Sequence, residues 1–345
     1  MTEAIPQFTP VNLITGFLGS GKTTLLQRLL ADPALSDTAV LINEFGEVGL
    51  DHHLLERIDE QIVLLQSGCL CCTIRGELSD SIRDLHSRRA RGTVPPFQRL
   101  VIESTGLADP FPVLTTIQAD PVLKHHFRLG RVIATVDAVN GLDQLARQAE
   151  SVKQVAVADR LVVTKTDIAD AVTISALLAR VRAINPAAPL VLAAEAAMDA
   201  EMLLAHDDFD LGAKTDAARA WFDMEMARTA QPGHAHDANR HGDINAFALM
   251  FDRPLDWTVF GIWLTMLLNR HGNEVLRVKG ILDVDGATGP VAIHGVQHLV
   301  HPPVHMRAWP DGERRSRIVF IAKGLDRTAI ERSLLAFAGL APALA

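Results

Sequence analysis

From Val11 to about Leu192, short apolar runs rich in β-branched residues alternate with longer stretches of helical periodicity. The strand candidates are VNLIT (11–15), TAVLIN (38–43), IVLL (62–65), RLVIES (99–104), RVIATVD (131–137), RLVVTK (160–165) and PLVLAA (189–194). Helix-like segments such as KTTLLQRLLAD and ELSDSIRDLHSRR lie between them. The strands are apolar throughout instead of alternating, the pattern of a mainly parallel sheet covered by helices on both faces. The texture then changes: TAQPGHAHDANRHGD (229–243) has no apolar period and is rich in Gly, Pro, His and Asp, as linkers are. Beyond it come INAFALMF, the helix WTVFGIWLTMLL, VLRVKGILDVDG, PVAIHGVQHLV read as one strand, SRIVFIAKG and the helix DRTAIERSLLAF. That order predicts a small α+β domain.

Composition narrows the class. Hydrophobic residues make up 48% and charged residues 21% of 345 residues, with a formal net charge of −8. An acidic chain argues against nucleic-acid binding and against anchoring to an anionic membrane. No apolar run approaches the roughly 18–20 residues that cross a bilayer. The start, MTEAIPQFTP, carries an acid and prolines where a signal peptide needs basic and apolar residues. A cytoplasmic location is expected, where a structural disulfide is disfavoured.

GFLGSGKT, Gly16 to Thr23, fits G-x-x-x-x-G-K-[ST] between a predicted strand and a helix. Gly16, Gly19 and Gly21 let backbone N–H groups curl around phosphate oxygens at a helix N-terminus, with Ser20 and Thr24 among the nucleotide contacts. Lys22 reaches the β- and γ-phosphates, and the Thr23 hydroxyl is suited to Mg²⁺. In VIESTGLADP a strand ends at Glu103, and Gly106 follows three residues on. Those are the places of a carboxylate in the Mg²⁺ shell and a γ-phosphate-sensing N–H. LVVTKTD supplies Thr164, Lys165 and Asp167 where guanine-selective enzymes carry N-K-x-D. A carboxylate at 167 would accept from guanine N1–H and N2–H, donors that adenine lacks, which favours GTP over ATP. Thr164 in place of Asn weakens that inference. INEFGEVGLD places Glu44, Glu47 and Asp51 after the second strand, where a switch loop is expected. Glu44, Glu47 and Glu103 are the candidates for orienting the attacking water.

All three cysteines, Cys69, Cys71 and Cys72, fall in GCLCC. A buried apolar patch, a redox pair and a metal site are the alternatives. Redox dithiols usually take the form C-x-x-C, so metal binding is the preferred reading. Soft thiolates favour zinc, cobalt or copper(I) over Mg²⁺. In extended chain Cys69 and Cys71 stand ~6.6 Å apart on one side. Sulfurs sharing a tetrahedral zinc are only ~3.8 Å apart. Co-ligation therefore needs the chain to bend at Leu70, and Cys72 points elsewhere unless it turns further.

The ordered set GFLGSGKTTLL, INEFGEVGLD, GCLCC, ESTGLADP and TKTD, followed by RVKGIL, GVQHLVHPP and WPDGERRSRIVFI, resembles the CobW family of GTPases, relatives of the hydrogenase and urease nickel accessory GTPases (CobW/HypB/UreG). The resemblance spans nearly the whole chain. It implies a P-loop GTPase domain over 8–225, a flexible His-containing linker over 226–242 and a C-terminal α+β domain over 243–345. It also implies slow GTP hydrolysis tied to handling of zinc, cobalt or another transition metal. Carried onto this sequence, the metal ligands would be Cys69, Cys71 and Cys72, with Glu44 a carboxylate ligand or contact. The histidine tract of some members shrinks here to His234, His236 and His241. His294 and His298 would share one strand face about 13 Å apart, too far for one metal. The expected function is a GTP-dependent metallochaperone or metal-insertion factor acting on a client metalloprotein, with GTP, Mg²⁺ and zinc or cobalt as its small-molecule partners. Neither nucleic acid nor membrane is an expected partner, and a homodimer stays open. A non-chaperone GTP switch with a zinc- or redox-sensing thiol site and a small-molecule kinase are the alternatives.

Overall fold

The computed structural model describes residues 8–43, 63–67, 74–194, 200–204, 244–309 and 312–339. The chain divides into two compact units, 1–178 with 188–208, and 179–187 with 209–345.

The first unit is built on a seven-stranded sheet in the order β3-β2-β4-β1-β5-β6-β7. The strands are β1 (Thr9–Gly16), β2 (Thr38–Asn43), β3 (Val63–Ser67), β4 (Arg99–Glu103), β5 (Phe127–Asp137), β6 (Arg160–Thr164) and β7 (Leu190–Leu192). Every described pairing is parallel. Burial explains why the strands read as unbroken apolar runs: all of β1 and β4 is buried. Leu25, Leu26, Leu29 and Leu30 of the helix Lys22–Leu30 cover one face around Ile14, Val40, Val101, Ile133 and Val162. Parallel strands put all their C-terminal ends at one edge, and ligands of open α/β sheets bind there, where the strand order reverses about β1. The region between Gly106 and Phe127 was not predicted. It holds the helix Pro110–Ala119, opened by Asp109 accepting from the Phe111 N–H, and a short turn of helix Leu123–His126.

The second unit is an antiparallel sheet in the order β11-β10-β9-β13-β8, with β12 paired to β10. These are β8 (Ile244–Phe251), β9 (Val275–Leu282), β10 (Val291–Val296), β11 (Leu299–Val300), β12 (Val304–His305) and β13 (Ser316–Lys323). The helices Trp257–His271 and Arg327–Phe337 bury Phe260, Trp263, Leu264, Ile330 and Leu334 with the strand residues Phe247, Leu249, Ile318 and Phe320. PVAIHGVQHLV is not a single strand. Gln297 takes a left-handed φ of 50°, and the chain doubles back so that Gly295 pairs with Val300 and Val296 with Leu299. His294 therefore does not share a strand face with His298. It stacks on His301 instead, ring centroids 4.4 Å apart.

Phe320 is fully buried, stacked on Phe247 and edge-on to Trp263. Phe320→Ala should cost about 3–5 kcal/mol of second-unit stability. Urea unfolding followed through tryptophan fluorescence reads this, and a loss below about 1 kcal/mol would show that the core re-closes around the gap.

Candidate functional site

The loop after β1 is shaped by what cannot fit there. Gly16, Gly19 and Gly21 have φ of 143°, 70° and 86°, values that side chains rarely tolerate. A Cβ on Gly16 would lie 2.2 Å from Thr135 Oγ1 and 2.6 Å from Ser20 Oγ. Those two hydroxyls are 2.6 Å apart beneath the loop. Gly21 begins the helix Lys22–Leu30 without a side-chain cap. The first N–H groups of that helix are therefore left for an anion, as helix N-termini allow. Lys22 is buried, and its ammonium donates to the carbonyls of Gly16 and Phe17, both at 3.1 Å. Thr24 is exposed on the first turn of the helix.

The neighbouring strand ends close in on this loop. Glu103 pairs in register with Ile14 on one side and Ile42 on the other. Its side chain is buried, and Oε1 accepts a hydrogen bond of 2.7 Å from the Thr23 hydroxyl. A hydroxyl and a carboxylate brought together at the mouth of an anion cradle form the hard-oxygen donor set that Mg²⁺ prefers. Ser104 ties the strand end back through its hydroxyl to Thr15 Oγ1 at 3.0 Å. Gly106 is packed so tightly that a Cβ would fall 2.6 Å from the backbone N of Leu18. Gln154, from the helix Ala149–Val157, donates to the carbonyls of Gly106 and Ala108, each at 3.1 Å. Lys153 pairs with Asp109 at 2.9 Å. One helix thus clamps the loop that lies against the phosphate cradle.

At the end of β6, Thr164 donates its hydroxyl to the Ser20 carbonyl at 2.8 Å, and its methyl group lies under Gly21. The residue that departs from N-K-x-D is therefore a tether for the phosphate loop. Lys165 adopts φ of 57°, which for a residue with a side chain costs about 1–2 kcal/mol. Its ammonium is 2.7 Å from Asp137 Oδ2, at the end of β5. Asp137 is 1% exposed and also accepts from the N–H groups of Val139 and Asn140 and from the Asn140 side chain. Burial pushes its pKa up, but the Lys165 ammonium and the three Val139 and Asn140 donors outweigh that and hold it below the usual carboxylate value. Asp167 is exposed in the turn that follows.

Sequence reasoning named Gly16, Gly19, Ser20, Gly21, Lys22, Thr23, Thr24, Glu103, Gly106, Thr164, Lys165 and Asp167, and all lie at strand ends or on loops at this edge, or on the first turn of the helix Lys22–Leu30. It missed Ser104, Asp109, Thr135, Asp137, Lys153 and Gln154. An acid closing an apolar strand is the signal that marked Glu103, and the same signal was present at Asp137. Gln154 and Lys153 act through tertiary contact and left none. Glu44, Glu47, Asp51, Cys69, Cys71, Cys72, His234, His236 and His241 lie outside the described residues. Among the described residues no group of three or more His, Cys, Asp or Glu is placed to hold a metal ion, and no helix is long and apolar enough to cross a membrane.

A parallel sheet carrying a glycine loop, a lysine and a Thr–Glu pair at its C-terminal edge defines a P-loop nucleoside triphosphatase. Residues 10–192 match the nucleotide-binding domain of CobW/HypB/UreG, and residues 244–338 match the cobalamin synthesis protein CobW C-terminal domain. The "Zinc chaperone YjiA" of Escherichia coli is 36% identical over 331 residues, covering 96% of this chain and 98% of the relative. The "Zinc-regulated GTPase metalloprotein activator 1" of Schizosaccharomyces pombe is 25% identical over 355 residues, covering 92% and 83%. The crystal structure of Zn(II)-bound YjiA GTPase from E. coli superposes with a TM-score of 0.73 at 31% identity, over 98% of this chain and 100% of that one. The chain belongs to the CobW/HypB/UreG family.

Gly106→Ala should lower nucleoside triphosphate turnover by at least about tenfold, roughly 1.4 kcal/mol in the barrier, while leaving the fold intact by circular dichroism. Unchanged turnover would mean that the contact with Leu18 does not set the loop for chemistry.

Proposed function

We propose that this chain is a GTP-dependent metallochaperone that binds a transition metal, zinc first among the candidates, and delivers it to a client metalloprotein. The observation that carries the reading is the register of β2 and β3. Asn43 pairs with Ser67, so the chain leaving toward Glu44 and the chain leaving toward Cys69, Cys71 and Cys72 depart from neighbouring strands, about 4.8 Å apart. Glu103 sits on the next strand, paired with Ile42. The strands that lead in sequence to Glu44 and to the cysteines thus end side by side at the sheet edge that carries the phosphate loop. The zinc-named relatives and the preference of soft thiolates for zinc or cobalt support the same choice of cargo.

In this reading the N–H groups from Gly16 to Thr24 and the Lys22 ammonium hold the triphosphate. Lys22 gives up its carbonyl contacts for the β- and γ-phosphates. Thr23 and Glu103 would hold Mg²⁺, which would supply charge neutralisation for the phosphates. Water attacks the γ-phosphorus, the bond to the bridging oxygen breaks, and GDP and inorganic phosphate result. Glu44, Glu47 and Glu103 are the groups that could orient that water, and Glu103 Oε1 also accepts from Thr23. Gly106 presents its N–H toward the γ-phosphate, and its carbonyl is held by Gln154. Asp167 selects guanine, with Thr164 and Lys165 fixing its turn. Loss of the γ-phosphate frees the segment after β2, and the site made by Cys69, Cys71, Cys72 and Glu44 releases its ion to the client. Residues 226–242 link the GTPase part, 8–225, to the C-terminal domain, 243–345. The protein works in the cytoplasm without nucleic acid or membrane, and a homodimer is compatible with the scheme.

Replacing Cys69, Cys71 and Cys72 together by Ala should weaken stoichiometric zinc binding by at least about a hundredfold and leave GTP affinity unchanged. Competition with a chromophoric chelator reads the first and fluorescent GTP the second. Retained tight zinc binding in that variant would remove the cargo site from the scheme.

A further inference from the structure

We infer that Asp137 is a positioning residue for base selection: its ion pair with Lys165 sets the turn that presents Asp167 to the nucleobase. The inference rests on the guanine reading above and adds to it a residue from a different strand. Asp137 closes β5 and pairs in register with Thr164 at the end of β6. The Ala138 N–H donates to the Thr164 carbonyl at 2.9 Å, so the two strand ends are fixed to each other immediately before the base-reading turn. The next residue, Lys165, leaves the strand with the left-handed φ of 57°. Its carbonyl accepts from the Ile168 N–H at 3.3 Å, closing a four-residue turn in which Asp167 occupies the third position.

Nothing in the local sequence calls for that backbone conformation, since Lys165 is not glycine and the turn contains none. The conformation is over-determined from outside instead. Thr164 holds one side through the Ser20 carbonyl, and the Lys165 ammonium reaches the buried Asp137 carboxylate at 2.7 Å on the other. Asp137 itself cannot swing away, because the Val139 and Asn140 N–H groups and the Asn140 amide hold its two oxygens. The lysine of T-K-x-D is therefore oriented by a rigid acceptor, and the direction it fixes is inherited by Asp167 two residues later. A carboxylate that must meet two donors of guanine at once is sensitive to such a change of direction. A phosphate cradle built from β1 is not.

The test compares affinities for GTP, ITP (which lacks the 2-amino donor) and ATP in the full chain. Asp137→Asn keeps an oxygen for the Val139 and Asn140 N–H groups but loses the charge that draws Lys165. Lys165→Met keeps the apolar stem and removes the ammonium. Each variant should lower the GTP:ITP affinity ratio about tenfold, the factor carried by ~1.4 kcal/mol, and the double variant should lower it no further. A ratio that stays at the wild-type value in either folded variant, or effects that simply add in the double variant, would overturn the positioning role. Should Asp137→Asn fail to fold, Lys165→Met alone decides by the same ratio. A wild-type chain that binds ATP as tightly as GTP would instead remove the guanine reading, an outcome separable from failure of the variants.

Discussion

The site depends on one steric constraint: the chain leaving β1 must turn beneath the phosphates with no side chain at position 16. A Cβ there would overlap the Thr135 hydroxyl at the end of the adjacent strand. Because Gly16 accepts that approach, Ser20 can meet Thr135, Thr164 can reach the Ser20 carbonyl, and Lys22 can fold back over the loop. Each of these bonds is modest by itself, on the order of 1 kcal/mol net. Together they fix the shape of the cradle, and a loop held by its own bonds needs little further ordering to grip a phosphate.

The sheet then distributes the chemistry in strand order. From β3 to β6 the C-terminal ends lead in turn to the cysteine segment, the Glu44 segment, Glu103, the phosphate loop, Asp137 and the T-K-T-D turn. In the proposed scheme the strands leading to the cargo segments and the strand leading to the base-reading turn lie on opposite sides of β1, which carries the phosphate loop. Glu103 is the hinge of this layout, since its backbone pairs with both Ile14 and Ile42 and its carboxylate holds Thr23. Glu103 thus stands one strand from β2, the strand that leads to Glu44 in sequence. The proposed coupling between the γ-phosphate and the metal would run through that adjacency.

Much of this was legible in the sequence because motif chemistry is local. Glycines at fixed spacing, a lysine on the following helix and an acid closing an apolar strand carry their meaning within a few residues. The uninterrupted apolar strands likewise announced the parallel sheet. What escaped reading depends on partners distant in the chain. Gln154 reads as an ordinary helical polar residue until its helix is packed over Gly106. Thr164 read as a defect in a guanine motif, whereas its hydroxyl bonds the phosphate loop. The strand predicted through His294 and His298 failed at Gln297, whose left-handed backbone is rare for a non-glycine residue and has no signature in apolar periodicity.

In the proposed cycle nucleotide state sets metal affinity. Its most direct measurement is the zinc dissociation constant of the full chain, taken by chelator competition once with a non-hydrolysable GTP analogue and Mg²⁺ and once with GDP and Mg²⁺. The account predicts binding about a hundredfold tighter with the triphosphate, ~2.7 kcal/mol of coupling. Equal affinities in the two states would contradict it.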